Sequence, residues 1–469
     1  MTEYDVVVIG AGSTGENVAD RAKAGGLSVV IVESELVGGE CSYWACMPSK
    51  ALLRSGAALR AAEKVSGARE AVTATLDVAA VLARRDRTVN NWSDDGQVKW
   101  LDSVGLELIR GEARITGERE VTVVAVDGSE HVLRARHAVA VCTGTTALIP
   151  NLPGLREAQP WTAREAVSAK TIPSRLAIVG GGVVGVEMAT AYAGFGSEVT
   201  VIARSGILSN EEPFAGELVH KGLTELGATV LTGVSPVSVS RSNNETHLTL
   251  DDGTTITSDE LLVATGRVPG TMGLGLDTVG LTDGEWLDVD DTMLVRGSDW
   301  LYAVGDVNHR VLLTHQGKYQ ARAAGDVIAA RAQGLPVDDT AWGHHVATAD
   351  HEAVPQVTFS EPEVASVGLT EAAATKAGYD IRVVDYKLGW VAGASLHAEG
   401  YQGQARMVVD EARGVVIGAT FVGQDVAELL HAATIAIVGE VPISRLWHAV
   451  PAYPTISEVW LRLLETYRG

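Results

Sequence analysis

The sequence predicts an α/β protein: two strand–turn–helix–strand units, followed by a smaller α+β unit of antiparallel hairpins. Three observations predict it. Residues 5–12, DVVVIGAG, and residues 177–182, AIVGGG, are apolar runs ending in glycine, and each continues through helix-like sequence to a second apolar run. Hydrophobic residues make up 46% of the chain and glycines number 51, which suits many tight strand-to-helix turns. Past residue 345 the pattern changes to short strands around turns such as DEARG, with no further glycine-rich turn of this kind. At 469 residues the chain exceeds one ordinary core, so several domains are expected.

The two units carry the glycines of a Gly-x-Gly-x-x-Gly turn: Gly10, Gly12 and Gly15 in the first, Gly180, Gly182 and Gly185 in the second. The first glycine of each set allows the tight turn, the second lets a pyrophosphate approach the backbone, and the third lets helix pack on strand. N–H groups at the helix start then hold the pyrophosphate. The second strands differ. Glu33 closes that of the first unit, where a carboxylate accepts hydrogen bonds from an adenosine ribose; Ala203 and Arg204 stand in the second. Without the carboxylate a 2′-phosphate meets no repulsion, and a guanidinium pairs with it. This reading puts FAD at the first turn and NADPH, preferred over NADH, at the second. The stretch SGILSNEE holds no second arginine, and its Glu211 and Glu212 argue for a moderate preference only.

The remaining elements follow in order. ALLRSGAALRAAEK, after Pro48, reads as a helix. GLELIRGEARI, EREVTVVAV and HVLRARHAVAVCTG read as strands, with a DG turn before the third, and Pro150, Pro153 and Pro160 mark the way out of that unit. Short strands near 229–264 flank the turn DDGTTI, and LLVATGRVPG closes the second unit. WLYAVGDV is strand, glycine, then Asp306, and a helix is expected from about residue 313.

A net charge of −22 disfavours nucleic acid and anionic membrane as partners. No apolar run reaches the roughly 18 residues of a membrane span, and the start MTEYDVVVIGAG lacks a basic n-region. Three cysteines are too few for a disulfide scaffold. A reducing cytoplasm is the expected location, where a cysteine pair is more often catalytic or metal-binding.

Two of those cysteines, Cys41 and Cys46, stand in GGECSYWACMPSK. A zinc scaffold needs four ligands, and there is no second cysteine pair. An inert buried pair is the bland alternative. A redox disulfide fits better, with a geometric condition: residues five apart in an ideal helix sit ~8–9 Å apart at Cα, whereas a disulfide needs less than about 7 Å. Cys41 is therefore expected in a loop or distorted turn, with regular helix starting near Cys46. A thiol at the helix start, with Lys50 one turn beyond, is biased towards thiolate. Cys142, in VAVCTG, reads as core.

These residues resemble the class I pyridine nucleotide-disulfide oxidoreductases, the family of dihydrolipoyl dehydrogenase, glutathione reductase and mercuric reductase. The resemblance runs through the whole chain and rests on Cys41 to Lys50, with support from Thr143-Gly144, Ala264-Thr265-Gly266-Arg267, Gly305-Asp306 and Pro362 to Gly368. It implies a split FAD domain (1–150 and 270–343), an NAD(P) domain (151–269) and a C-terminal dimerisation domain (344–469). It further implies a homodimer whose active site is shared between subunits. By the same resemblance Cys41 attacks the substrate and Cys46 lies against the flavin, Lys50 lies beside flavin N5 with Glu187 as its partner, and Asp306 binds the flavin side chain.

One element departs from the pattern. Dithiol reductases of the family carry His-Pro-Thr-x-Ser-Glu near the C-terminus; here Tyr453 replaces the histidine, Glu458 matches the carboxylate, and His448 stands upstream. The expected function is thus an FAD-dependent NAD(P)H oxidoreductase with a redox-active disulfide and an acceptor drawn from disulfides, metal ions or quinones. Alternatives are a dihydrolipoyl dehydrogenase or mercuric reductase proper, and a low-turnover redox-responsive protein.

Overall fold

Residues 1–469 are described by a computed structural model. The first part of the chain runs β1 (Thr2–Ile9), α1 (Ser13–Ala24), β2 (Val29–Glu33), α2 (Gly39–Tyr43), α3 (Cys46–Glu63), α4 (Val78–Thr88), α5 (Asp95–Ser103), β3 (Glu107–Gly117), β4 (Glu120–Ala125), β5 (Glu130–Val141) and β6 (Thr145–Ala147). The middle runs α6 (Ala163–Ser168), β7 (Arg175–Val179), α7 (Val183–Gly194), β8 (Glu198–Ala203), α8 (Pro213–Glu225), β9 (Thr229–Thr232), β10 (Pro236–Ser242), β11 (Glu245–Leu250), β12 (Thr255–Ser258), β13 (Glu260–Val263) and β14 (Arg267–Pro269). Then come β15 (Leu301–Ala303), α9 (Thr314–Ala332), α10 (Ala349–Glu352), β16 (Pro355–Thr358), β17 (Glu363–Gly368), α11 (Glu371–Lys376), β18 (Ile381–Lys387), α12 (Ala392–His397), β19 (Gln404–Asp410), β20 (Val415–Gly423), α13 (Leu430–Val438), α14 (Ile443–Leu446) and α15 (Val459–Arg468). Two units emerge: residues 1–48, 86–148 and 266–350 form one, and residues 49–85, 149–265 and 351–469 the other. No helix is long and apolar enough to cross a membrane.

The first unit is built on a parallel sheet in the order β3-β2-β1-β5-β15. Val6 to Val8 in β1, Val30 to Val32 in β2 and Val139 to Val141 in β5 have almost no exposure, as continuous apolar runs in a doubly covered parallel sheet require. The far half of β3 and the near half of β5 leave that sheet to pair antiparallel with β4, giving the hairpins the sequence predicts around the DG turn. Helix α9 lies along α1: Gly325 comes so close that a Cβ there would lie 2.5 Å from Arg21 Cβ, and Arg21 clamps Asp326 with two hydrogen bonds of 2.8 Å. The expected helix from about 313 is therefore α9, and it braces the first glycine turn.

The second unit repeats the motif. β13-β7-β8-β9 form a parallel sheet, and β10-β11-β12 form an antiparallel one around DDGTTI. Its C-terminal part is a five-stranded antiparallel sheet in the order β16-β17-β20-β19-β18. β20 is buried along its whole length, as a central strand packed on both faces should be. The DEARG turn joins β19 to β20: Asp410 accepts from Ala412 N (3.0 Å) and Arg413 N (3.3 Å), and its other oxygen takes Arg413 Nε at 2.6 Å. α4, α5 and α8 have no counterpart in the expected element order; mixed polarity and ordinary composition hide them.

Candidate active site

The two glycine turns are near copies. Gly10 and Gly180 take φ of 97° and 125°, and a Cβ at Gly15 or Gly185 would lie 1.8 Å or 2.0 Å from the carbonyl oxygen of the first glycine of its turn. The third glycine is thus an absolute requirement of the helix-on-strand packing. At Gly12 the nearest atom a Cβ would meet is 3.9 Å away, and at Gly182 none lies within 4 Å. Both middle positions therefore open onto space at the start of α1 and α7, where helix N–H groups favour an anion. Glu33 ends β2 and accepts from Ala11 N at 2.7 Å and Glu35 N at 2.8 Å; burial raises its pKa. In the second turn Ala203 is buried and Arg204 is exposed. Glu211 and Glu212 both have hydrogen-bond partners elsewhere in the unit. Glu212 accepts from Arg406 (3.0 Å) and Glu371 N (2.8 Å), and Glu211 bonds Ser366.

The cysteine segment is seated directly on the first turn. Gly38 N donates to Ala11 O at 2.8 Å, and a Cβ at Gly39 would lie 2.8 Å from Gly12 Cα, so glycine there permits backbone-on-backbone contact. Cys41 lies in the single turn of α2, Trp44 breaks the helix at φ −136°, and α3 starts at Cys46. The sequence condition is met: the two cysteines belong to different helices. Pro48 falls in the first turn of α3, where its missing N–H costs nothing.

Both are thiols here, and their side chains are hydrogen-bonded. That bond, followed by burial, pushes the pKa of Cys41 above the usual thiol range. Cys46 Sγ lies 3.3 Å from Thr314 Oγ1, at the start of α9. Cys142 is buried behind Gly10, with its pKa raised by burial, and takes no part.

A polar chain runs from this segment to Asp306. Arg267 bonds Glu40, on the cysteine turn, and donates to Thr145 O at 2.7 Å and Thr145 Oγ1 at 2.5 Å. Thr145 Oγ1 in turn donates to Asp306 at 2.8 Å, and burial raises the pKa of Asp306. On the other flank Val37 N donates to Asp94 at 2.7 Å and Trp92 Nε1 to Tyr43 O at 3.2 Å. Arg267 belongs to a matched motif, whereas Thr145 and Thr314 carry no sequence signal of their own. Asp94 and Trp92 lie in a stretch with no signal at all.

The second unit holds the cation expected beside the flavin. Lys50 Nζ lies 2.7 Å and 3.0 Å from the two oxygens of Glu187, which is 3% exposed on α7. Glu187 also accepts from Phe359 N at 3.1 Å, and the Phe359 ring lies 4.9 Å from Lys50 Nζ. Phe359 thus fixes both members of the pair, a contact invisible in the sequence. At the C-terminal end Tyr453 and His448 are exposed, Tyr453 by 75%. Glu458 is buried but already engaged: Arg462 donates to it at 2.6 Å and 3.1 Å.

The first turn fits a flavin dinucleotide. Thr143 Oγ1 is buried with no hydrogen-bond partner, a Cβ at Gly144 would meet nothing within 4 Å, and Asp306 is a half-buried acceptor in the turn after β15. Gly266, at φ 141°, begins the return strand next to them. Orphaned polar atoms and open glycines together mark a cradle for a polar ligand.

Comparison with known proteins agrees with this geometry. Residues 4–334 match the family model described as pyridine nucleotide-disulphide oxidoreductase, and residues 354–463 match its dimerisation domain. A dihydrolipoyl dehydrogenase of Chlorobaculum tepidum is 33% identical, with 97% of this chain and 95% of that protein aligned. A mercuric reductase of Staphylococcus aureus is 30% identical, over 97% of this chain and 81% of that protein. The Cu(II) complex of a HOCl-induced flavoprotein disulfide reductase, RclA of Escherichia coli, superposes with a TM-score of 0.85 at 23% identity and 99% coverage of both chains. The dimerisation match supports a homodimer. A match of this extent makes the chain a pyridine nucleotide-disulphide oxidoreductase, an FAD-dependent enzyme that works with NAD(P)H.

Proposed function

We propose that this enzyme passes electrons from NADPH through the Cys41–Cys46 pair to a soft metal ion. One observation carries the reading: the C-terminal element offers a phenol rather than an imidazole to take a thiol proton, while a bond to Cys46 and burial raise the pKa of Cys41. A phenol with an ordinary pKa of about 10 is a poor base near neutral pH, whereas an imidazole near 6.5 is well matched. A thiophilic metal ion removes the need for a base, because coordination deprotonates the thiol outright. Mercuric reductases stand among the relatives, and a structural neighbour is described with Cu(II).

Bound FAD supplies the two-electron chemistry between nicotinamide and thiols. The chain's own residues do the rest. Gly12 and Gly182 with the starts of α1 and α7 receive the pyrophosphates, Glu33 takes the FAD ribose, and Arg204 takes the 2′-phosphate of NADPH. Thr143, Gly144, Gly266 and Asp306 line the flavin cradle. Lys50, held by Glu187 and Phe359, stabilises negative charge beside the flavin ring. Cys46 faces the flavin and Cys41 the acceptor, and Tyr453 completes the site from the other subunit of the dimer. The functional segments are 1–150 with 270–343 for FAD, 151–269 for NADPH and 344–469 for dimerisation.

An acceptor panel tests the reading. With NADPH as donor, Cu(II) or Hg(II) should be turned over at rates at least 10² above lipoamide and glutathione disulfide, the size of general acid–base assistance. Equal or faster turnover of the disulfides would overturn it.

A further inference from the structure

Between β8 and α8 the chain makes a loop, residues 204–212, that begins at Arg204. Its middle is seated on the second glycine turn: Leu208 N donates to Gly181 O at 2.8 Å, and a Cβ at Gly181 would lie 2.5 Å from Gly206 O. Ile207 and Leu208 are buried, and Leu208 takes a φ of 46°. A leucine holds that left-handed conformation only where its surroundings dictate it.

Part of those surroundings comes from the C-terminal sheet. Glu211 bonds Ser366 of β17, and Glu212 accepts from Glu371 N at 2.8 Å and from Arg406 Nη1, on β19, at 3.0 Å. Glu211 N also donates to Leu208 O at 2.9 Å, which joins the two ends of the loop. The Glu212 side chain is 2% exposed, and a carboxylate so buried needs a paired charge. Arg406 supplies it. Its Nε and Nη2 grip the two oxygens of Asp385 at 2.8 Å each, which leaves Nη1 to bridge Glu212 and, at 2.5 Å, Glu371. Only a planar fork makes all these bonds at once; an ammonium does not. The Phe214 ring lies 5.4 Å from Arg406 Cζ and brings the start of α8 to the same group.

We propose that Glu212 and Arg406 are positioning residues for nucleotide choice: they fix the loop so that Arg204 meets the 2′-phosphate of NADPH. The proposal deepens the NADPH reading above and rests on it. Both side chains bond protein groups, and they act on the phosphate through Arg204. The C-terminal sheet, which has no dinucleotide turn of its own, thereby takes part in selecting the electron donor.

The test titrates NADP⁺ and NAD⁺ into the oxidised, FAD-loaded protein by calorimetry and reads the ratio of Kd for NAD⁺ to Kd for NADP⁺. Arg204→Ala should lower the ratio about 10-fold, the loss of one charge-assisted contact. Glu212→Ala should lower it about 5-fold, as expected within one coupled network, and leave Kd for NAD⁺ within about twofold of wild type. In the double variant the Glu212 change should add nothing, because the loop then has no charge to position. Glu212→Ala leaves Arg406 paired with Asp385 and Glu371; Arg406→Lys, which keeps the charge and loses the fork, should shift the ratio in the same direction. If Arg204→Ala lowers the ratio but Glu212→Ala and Arg406→Lys do not, or weaken both nucleotides equally, the positioning role is overturned alone. A wild-type preference for NAD⁺, or a ratio that Arg204→Ala leaves unchanged, would overturn the NADPH reading and the positioning role with it.

Discussion

At the scale of residues, the chemistry hangs on which groups hold protons. The bond to Cys46 and burial raise the pKa of Cys41, the thiol proposed to meet the acceptor. Replacing Tyr453 with histidine should therefore raise lipoamide turnover. Glu458 is already taken by Arg462, so a new imidazole would lack its orienting carboxylate. The gain should fall near 10–100-fold, at or below the low end of general acid–base effects, in steady-state assays with NADPH and lipoamide. Glu187→Gln is the second residue prediction. It leaves Lys50 without its counter-charge and should slow stopped-flow flavin reduction by NADPH about 10²-fold, as loss of one fixed electrostatic group does.

Glu16 gives a pH prediction with a definite sign. Burial raises its carboxyl to about 7, so the folded protein prefers it protonated while the unfolded chain ionises it near its ordinary value. The folded-state penalty is absent below pH 4 and grows as pH rises towards 7, then stays constant. Glu16→Gln is neutral throughout. Its Tm relative to wild type should climb between about pH 5 and 7.5 and level off above that. A difference that shrinks as pH rises would mean that Glu16 is stabilised as a carboxylate.

At the scale of elements, the proposed nucleotide choice rests on the second strand–turn–helix unit. Ala203 removes the carboxylate and Arg204 is exposed at the end of β8. Glu211 and Glu212 make their bonds to Ser366, Arg406 and Glu371, which weakens the sequence-based argument against a phosphate there. NADPH should be preferred over NADH, and Arg204→Ala should cut the ratio of their kcat/KM values by about 10-fold, the loss of one charge-assisted contact. A wild-type preference for NADH would show that Arg204 serves another purpose.

Legibility in the sequence followed the strength of local signals. Both glycine turns, the break between Cys41 and Cys46 and the long helix after residue 313 were readable because glycine, proline and periodicity constrain the backbone locally. Phe359 beside Lys50 and Asp94 beside the cysteine turn were not. Each joins side chains far apart in sequence, and each uses residue types that are common on any surface or in any core. The C-terminal tyrosine was visible, but the prior engagement of Glu458 by Arg462 was not, because an i,i+4 pair reads as ordinary helix charge.

At the scale of the whole molecule, the proposed path runs one way, from NADPH through two thiols to a metal ion. Anaerobic thiol counting tests it most directly. One equivalent of NADPH added to the oxidised, FAD-loaded protein should expose two new thiols, mapped by alkylation to Cys41 and Cys46. Two equivalents of Cu(II) should then remove both thiols and yield two of Cu(I), with the same step lost in Cys41→Ser. Copper reduction that proceeds while the thiol count stays constant, or that survives Cys41→Ser, would rule out a path through the two thiols.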